Sequence, residues 1–122
     1  NYLTHQLHCK YLGDGNQCKP YLHVHDLIDG IQFFKQTSNQ SRQIVNIGVE
    51  SQTTVNEIAD IVIEEMALSN VNKTYTGGTK GWVGDVAEFQ YDLSFIHQLG
   101  WKASLSSTDA VRQTVQEALP NL

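Results

Sequence analysis

Thr76-Gly77-Gly78-Thr79-Lys80-Gly81-Trp82-Val83-Gly84-Asp85-Val86 is the stretch around which the rest of the chain is arranged. Four glycines, a lysine, an aspartate and a tryptophan fall within eleven residues, between a β-prone run from Val71 to Tyr75 and a helical run from Asp92 to Leu99. Glycine at this density marks a loop with unusual dihedral angles, or a close approach of backbone to another group. Lys80 offers a cation to an anionic group and Asp85 an acceptor to a hydroxyl. The plainer alternative is a long surface turn holding one buried tryptophan.

Upstream of this loop, Thr54-Val55-Asn56-Glu57 has the form of a capping box, Thr54 bonding forward and Glu57 reaching back, and predicts a helix start. Val55, Ile58, Val62 and Met66 make its buried stripe. Gln43 to Gly48 reads as a buried strand apart from the polar Asn46. A helix from about Asp26 to Gln36 carries Leu27, Ile31 and Phe34 on one apolar stripe, with Ile28 beside it. Lys10-Tyr11-Leu12 and Tyr21-Leu22-His23-Val24 are short strand candidates on either side of Gly13-Asp14-Gly15-Asn16. Glycine and Asn/Asp supply the positive φ that a tight hairpin turn requires there. Pro20 stands at the start of the second strand, where a missing N–H does least harm.

Downstream, Val86 to Tyr91 is expected to be extended. Asp92 can N-cap a short helix that Gly100 ends. Ser106 or Ser107 caps a last helix with Val111, Val115 and Leu119 on its inner face. With no repeats, linkers or low-complexity runs, the expectation is one α/β domain over residues 1–122, of short strands with about four helices.

The totals suit that picture. The chain has 122 residues, 40% hydrophobic and 17% charged, the composition of an ordinary folded domain. A net charge of -5 argues against a general nucleic-acid binder, which needs a basic face to displace counterions from phosphates. One anionic ligand can still be held by a few placed lysines. Cys9 and Cys18 are too few for a disulfide framework and are expected as free thiols. The first residue is Asn1, consistent with a processed or trimmed chain. Neither a charged-then-apolar leader nor an apolar run of about 18 residues is seen, so a cytoplasmic chain with no membrane partner is expected.

Several segments carry a resemblance to one family. Leu12-Gly13-Asp14-Gly15-Asn16-Gln17-Cys18-Lys19-Pro20-Tyr21-Leu22-His23-Val24-His25-Asp26-Leu27 resembles the GDGxQx(R/K)xYxxVxD stretch of NAD-dependent nucleotide-sugar epimerases and dehydratases, the extended short-chain dehydrogenase/reductase enzymes. Val45-Asn46-Ile47-Gly48 resembles their YNIG strand, and Thr54 to Ala59 the helix after it. Gly77 to Val86 is similar to their GGxxGWxGDV loop, Asp92 to Trp101 to their DxxxxxxLGW helix, and Ser106 to Val115 to the closing SxEAVRxTV helix. The segments occur in the family's order and at its spacing, from about residue 10 to residue 119.

This resemblance implies a partial extended short-chain dehydrogenase/reductase fold and the C-terminal, nucleotide-sugar-binding part of such an enzyme. It implies substrate contacts at Lys19 on the diphosphate, at Asn46 on the nucleotide, and at Lys80 and Asp85 on phosphate and ribose. The commoner family loop has an arginine three residues before the acid, where this chain has Trp82, a residue expected to pack rather than stack on a base. NAD is the cofactor of the full-length family. This chain has neither a GxxGxxG loop after a first strand nor a Tyr-x-x-x-Lys pair: Tyr2, Tyr11, Tyr21, Tyr75 and Tyr91 are followed four residues on by Gln6, Gly15, His25, Thr79 and Phe95. Without the pair no group takes the sugar hydroxyl's proton, and without the loop the dinucleotide has no helix N-terminus. The chain is therefore not expected to catalyse or to bind NAD alone.

In the family the helix after Asp26 and the Asn46 strand lie against the Rossmann core, and residues near Lys80 belong to the smaller sugar-nucleotide domain. A C-terminal part by itself would expose apolar faces, so a homo-oligomer or a Rossmann-domain partner is expected. The alternative is a stand-alone interaction module without enzymatic activity. A third possibility is a small metal protein, because His5, His8, Cys9, Cys18, His23 and His25 lie within 21 residues. Zinc sites favour tighter paired spacings such as CxxC or HxxxH, and no metal site is expected.

Overall fold

The computed structural model describes residues 6–86 and 88–121. In chain order its elements are β1 (Leu7–Tyr11), β2 (Cys18–Lys19), α1 (Val24–Thr37), β3 (Thr53–Thr54), α2 (Val55–Glu65), β4 (Val71–Tyr75), α3 (Ser94–Leu99) and α4 (Ser107–Ala118), followed by a 3-10 turn at Leu119–Asn121. The α/β reading with short strands and four helices is borne out among the described residues.

The strands do not pair as their sequence order suggests. The two flanking the Gly13 turn form no hairpin: β1 runs parallel to β4, Leu7 opposite Val71 through Tyr11 opposite Tyr75, while β2 pairs antiparallel with β3. Five residues of β4 offer β1 a full ladder, closed by Tyr11 stacking on Tyr75 with centroids 5.5 Å apart. The turn then ties itself to the glycine loop, the Gly77 N–H donating to the Gly13 carbonyl at 2.9 Å and the Gly13 N–H to Thr76 Oγ1 at 2.8 Å. Gly13 and Gly15 do hold the positive φ that their turn requires, +87° and +82°.

Tyr21 to Val24 is not a strand. Pro20 has no N–H, the Tyr21 N–H is taken by Ser107 Oγ at 3.0 Å, and His23 already N-caps α1, its side chain accepting from the His25 N–H. Gln43 to Gly48 likewise joins no ladder among the described residues. Its period of two survives, with Val45 and Ile47 packed inward and Ile44 93% exposed. Val86 to Tyr91 forms no regular element in the described residues.

Three helix ends follow the expected chemistry. Thr54 accepts from the Glu57 N–H, and Glu57 Oε2 accepts from the Thr54 N–H at 2.7 Å, so both halves of the capping box are present. Ser106 is the cap of α4, and Gly100 ends α3 in the left-handed conformation at φ +104°. At the start of α3, Asp92 accepts from both the N–H and the hydroxyl of Ser94, although Leu93 holds the formal cap position. In α2 the fully buried residues are Ala59 and Ile61, while Val55, Ile58 and Val62 are half-buried and Met66 is exposed. The apolar arc of α2 is wider than one stripe, so periodicity did not specify which part would face α4.

Leu93, Ile96 and Trp101 form the buried core, with Leu22, Phe33, Val45, Ile47 and Ala103 packed on it. Against this core α1 presents Phe33 and Gly30, not the Val24, Leu27, Ile28 and Ile31 face, which is exposed. A Cβ at Gly30 would sit 2.8 Å from Ile47 Cγ2 and 2.9 Å from the Trp101 ring, so glycine permits the approach. The Trp101 indole N–H donates to Asp29 at 2.8 Å. Asp26 accepts from the Ser104 N–H, the Ser104 hydroxyl and the Leu105 N–H at 3.1, 2.6 and 3.1 Å. Burial pushes its carboxyl up, but these bonds outweigh burial and hold it below the ordinary value.

Candidate functional site

Ser107 organises the ground on which Lys19 stands. It is fully buried, and its hydroxyl accepts from the Tyr21 N–H and the Thr53 hydroxyl and donates to the Lys19 carbonyl. One side chain thus joins α4, β2 and β3, leaving no buried polar side chain unpaired among the described residues. Lys19 then projects from β2 into an open cleft of 310 Å³ whose walls include Leu12, Gln17, Gly81, Trp82 and Asp85.

Across that cleft, Lys19 Nζ donates to Asp85 Oδ1 at 2.8 Å. The second oxygen of Asp85 accepts from the Gly81 N–H at 3.1 Å, and the Asp85 N–H donates to the Trp82 carbonyl at 3.0 Å. The carboxylate is buried and staples its own loop. The bond from Lys19, then the Gly81 N–H, and more weakly the charge of Lys80, hold Asp85 below the ordinary carboxylate value. The same bond raises Lys19 above the ordinary lysine value. One ammonium proton is engaged here, and an ammonium has three.

Of the four substrate residues expected from sequence, the structure brings Lys19 and Asp85 into one cleft, with Lys80 near enough for its charge to act on Asp85. Asn46 is not in that cleft's wall. It is exposed, and its amide donates to the Asp92 carbonyl at 3.1 Å. Trp82 is not the buried tryptophan of a plain turn: it is 65% exposed, one edge of its ring lying over Gly84. Gln17 was not singled out. Buried beneath the cleft, it donates to the Leu12 carbonyl at 2.9 Å and accepts from the Gly15 N–H at 3.0 Å. The signal available was its place beside the glycine turn, where a long amide can bridge the turn's two ends.

The His/Cys set is not gathered as a whole. His5 lies outside the described residues, His8 and Cys9 lie on β1, and the Cys18 thiol donates to Gln52. His23 and His25 do lie together, and with Glu117 of α4 they are the one group of potential metal ligands among the described residues. Glu117 comes from the far end of the chain, so no spacing within the His/Cys segment marks it. The NAD of the full-length family does not fit what is present. The Gly13 turn leads into β2 and not a helix, and the space beside Gly13 and Gly15 is filled by the side chains of Gln17 and Asn56.

No protein-family model matches the chain. A Methanocaldococcus jannaschii protein named "Putative UDP-glucose 4-epimerase" is 29% identical over 103 residues, 84% of this chain and 32% of its own length. The dTDP-D-glucose 4,6-dehydratase of Mus musculus is 25% identical over 121 residues, 93% of this chain and 33% of its own length. A crystal structure of UDP-galactose 4-epimerase superposes with a TM-score of 0.80 over 97% of this chain and 37% of that one, at 23% identity. A protein solved with UDP-glucuronic acid and NAD superposes with a TM-score of 0.76 over 94% of this chain and 38% of that one, at 22% identity. These solved structures show a shared fold. The chain spans about a third of the length of the curated relatives it matches. The resemblance to nucleotide-sugar epimerases and dehydratases, over a fraction of their length, is borne out.

Proposed function

We propose that this chain is the nucleotide-sugar-binding C-terminal part of an NAD-dependent epimerase or dehydratase, one domain over residues 1–122, and not catalytic alone. The observation that supports it most is the Lys19–Asp85 pair at 2.8 Å, formed across an open cleft by residues distant in sequence. Asp85 holds the ammonium in place while leaving it donors for a diphosphate. Lys80 adds a second cation beside it, and an Asp85 oxygen can accept from a ribose hydroxyl. Asn46 would serve the nucleotide from outside this cleft. The relatives named for UDP-glucose and dTDP-D-glucose support a sugar nucleotide as the ligand class.

The outward apolar stripe of α1 supports the second half of the reading: a Rossmann-domain partner or a second copy covers it. Val24, Leu27, Ile28 and Ile31 are all exposed, an arrangement costly in water unless covered. The chain's own tyrosines supply no Tyr-x-x-x-Lys pair, so proton transfer at the sugar falls to that partner. A calorimetric titration of the purified chain with UDP-glucose, with UDP and dTDP-glucose as comparisons, tests the ligand. Saturable binding that Lys19→Ala abolishes is expected. No binding at millimolar ligand would make the chain an interaction module instead.

A further inference from the structure

His23 and His25 bracket the first residue of α1, and Glu117 stands opposite them near the end of α4. A ligand atom from each lies within 4.8 Å of the other two. His23 Nε2 is 3.2 Å from Glu117 Oε2. Two donors about 2.0–2.1 Å from a tetrahedral zinc ion are separated by roughly 3.3 Å, so this edge already has the right length. The two imidazole rings meet edge to face with centroids 4.9 Å apart. His23 is buried, 3% exposed, and fixed by the fold, while His25 and Glu117 are exposed, Glu117 Oε1 accepting from Gln113 at 2.8 Å and its Oε2 facing His23.

We propose that His23, His25 and Glu117 form a three-ligand site for a divalent transition metal of the zinc type, joining the start of α1 to the end of α4. Two imidazoles and one carboxylate are the donors such ions prefer, and a hard ion such as magnesium would favour oxygen ligands. Three protein ligands leave a fourth position for water. This proposal does not rest on the nucleotide-sugar reading.

The proton balance gives the site a signature. Without metal, His23 Nδ1 accepts the His25 N–H at 3.3 Å. Nδ1 then carries no proton, and the neutral ring bears its proton on Nε2 and donates to Glu117. Metal on Nε2 displaces that proton. The ring retains neutrality by taking a proton at Nδ1, which releases the His25 N–H to water at the exposed first turn. Metal binding and the helix cap therefore compete for one ring, and the long 3.3 Å bond is a weak competitor.

The test is titration of the full purified chain with Zn²⁺ by calorimetry and with Co²⁺ by visible absorption, in metal-free buffer. One equivalent is expected to bind, with a tetrahedral cobalt spectrum and a shifted, faster-exchanging His25 amide in NMR. His25→Ala and Glu117→Gln, both at exposed positions, should each weaken binding about tenfold or more, while His8→Ala on β1 should change nothing. Absence of saturable binding, or binding that survives both His25→Ala and Glu117→Gln, overturns the site and leaves His23–Glu117 as a structural contact.

Discussion

Helices α1 and α2 carry equally regular apolar patterns and use them in opposite ways. In α2 the pattern is consumed within the chain. Ala59 and Ile61 are buried, and Arg112 of α4 pairs with Glu64 and Glu65 at the rim of the contact. In α1 the i, i+3, i+4, i+7 set of Val24, Leu27, Ile28 and Ile31 faces outward, while the buried positions are Asp26 and Gly30. Periodicity reports that a helix has an apolar face. Only the rest of the fold decides whether that face is covered by this chain or by something else.

The largest effect belongs to the helix whose face is satisfied internally. Ile61 is 4% exposed, and Ile61→Ala removes buried methyl groups and leaves a cavity, an expected loss of about 2–5 kcal/mol in denaturant unfolding. A loss below about 1 kcal/mol would mean that the α2–α4 contact is not a packed core.

The next effect tests the polar underside of α1. Asp26→Asn keeps the shape but removes the charge that three donors serve, and should cost about 1–3 kcal/mol at pH 7. The folded value of Asp26 lies below the unfolded one. Its contribution is thus fully present above the unfolded carboxylate value, about 3.9, and is lost as pH falls through the lower folded value. Unfolding followed from pH 6 to pH 2 should show wild type and Asp26→Asn converging at the acid end. Parallel curves would remove Asp26 as the anchor of α1.

How much of this was legible follows the range of the forces involved. The capping box at Thr54 and Glu57, the Gly100 stop and the β4 strand are local and came through intact. The hairpin at Gly13 failed because β1 found a longer ladder with β4, sixty-odd residues away, and no turn signal encodes that choice. Tyr21 to Val24 failed because the buried hydroxyl of Ser107 took a strand donor. Of the site residues, Asp85 stood out in the glycine loop itself, whereas Lys19 was identifiable only by family resemblance; spacing alone could not unite them. Glu117 beside His23 was invisible for the same reason.

The smallest effect on stability separates the two helices most cleanly. Ile31 is 51% exposed, whereas Ile61 of α2 is 4% exposed. Ile31→Ser on an isolated chain should change unfolding free energy by no more than about 0.5 kcal/mol, because little area is removed from water within the chain itself. The same substitution should weaken association, read by light scattering at high concentration or by mixing with a Rossmann-domain partner, since there the methyl groups become buried. A cost comparable to that of Ile61→Ala would show that the chain covers this face itself in solution. No change in either stability or association would leave the outward stripe without a partner, and with it the argument that this fold needs a second surface.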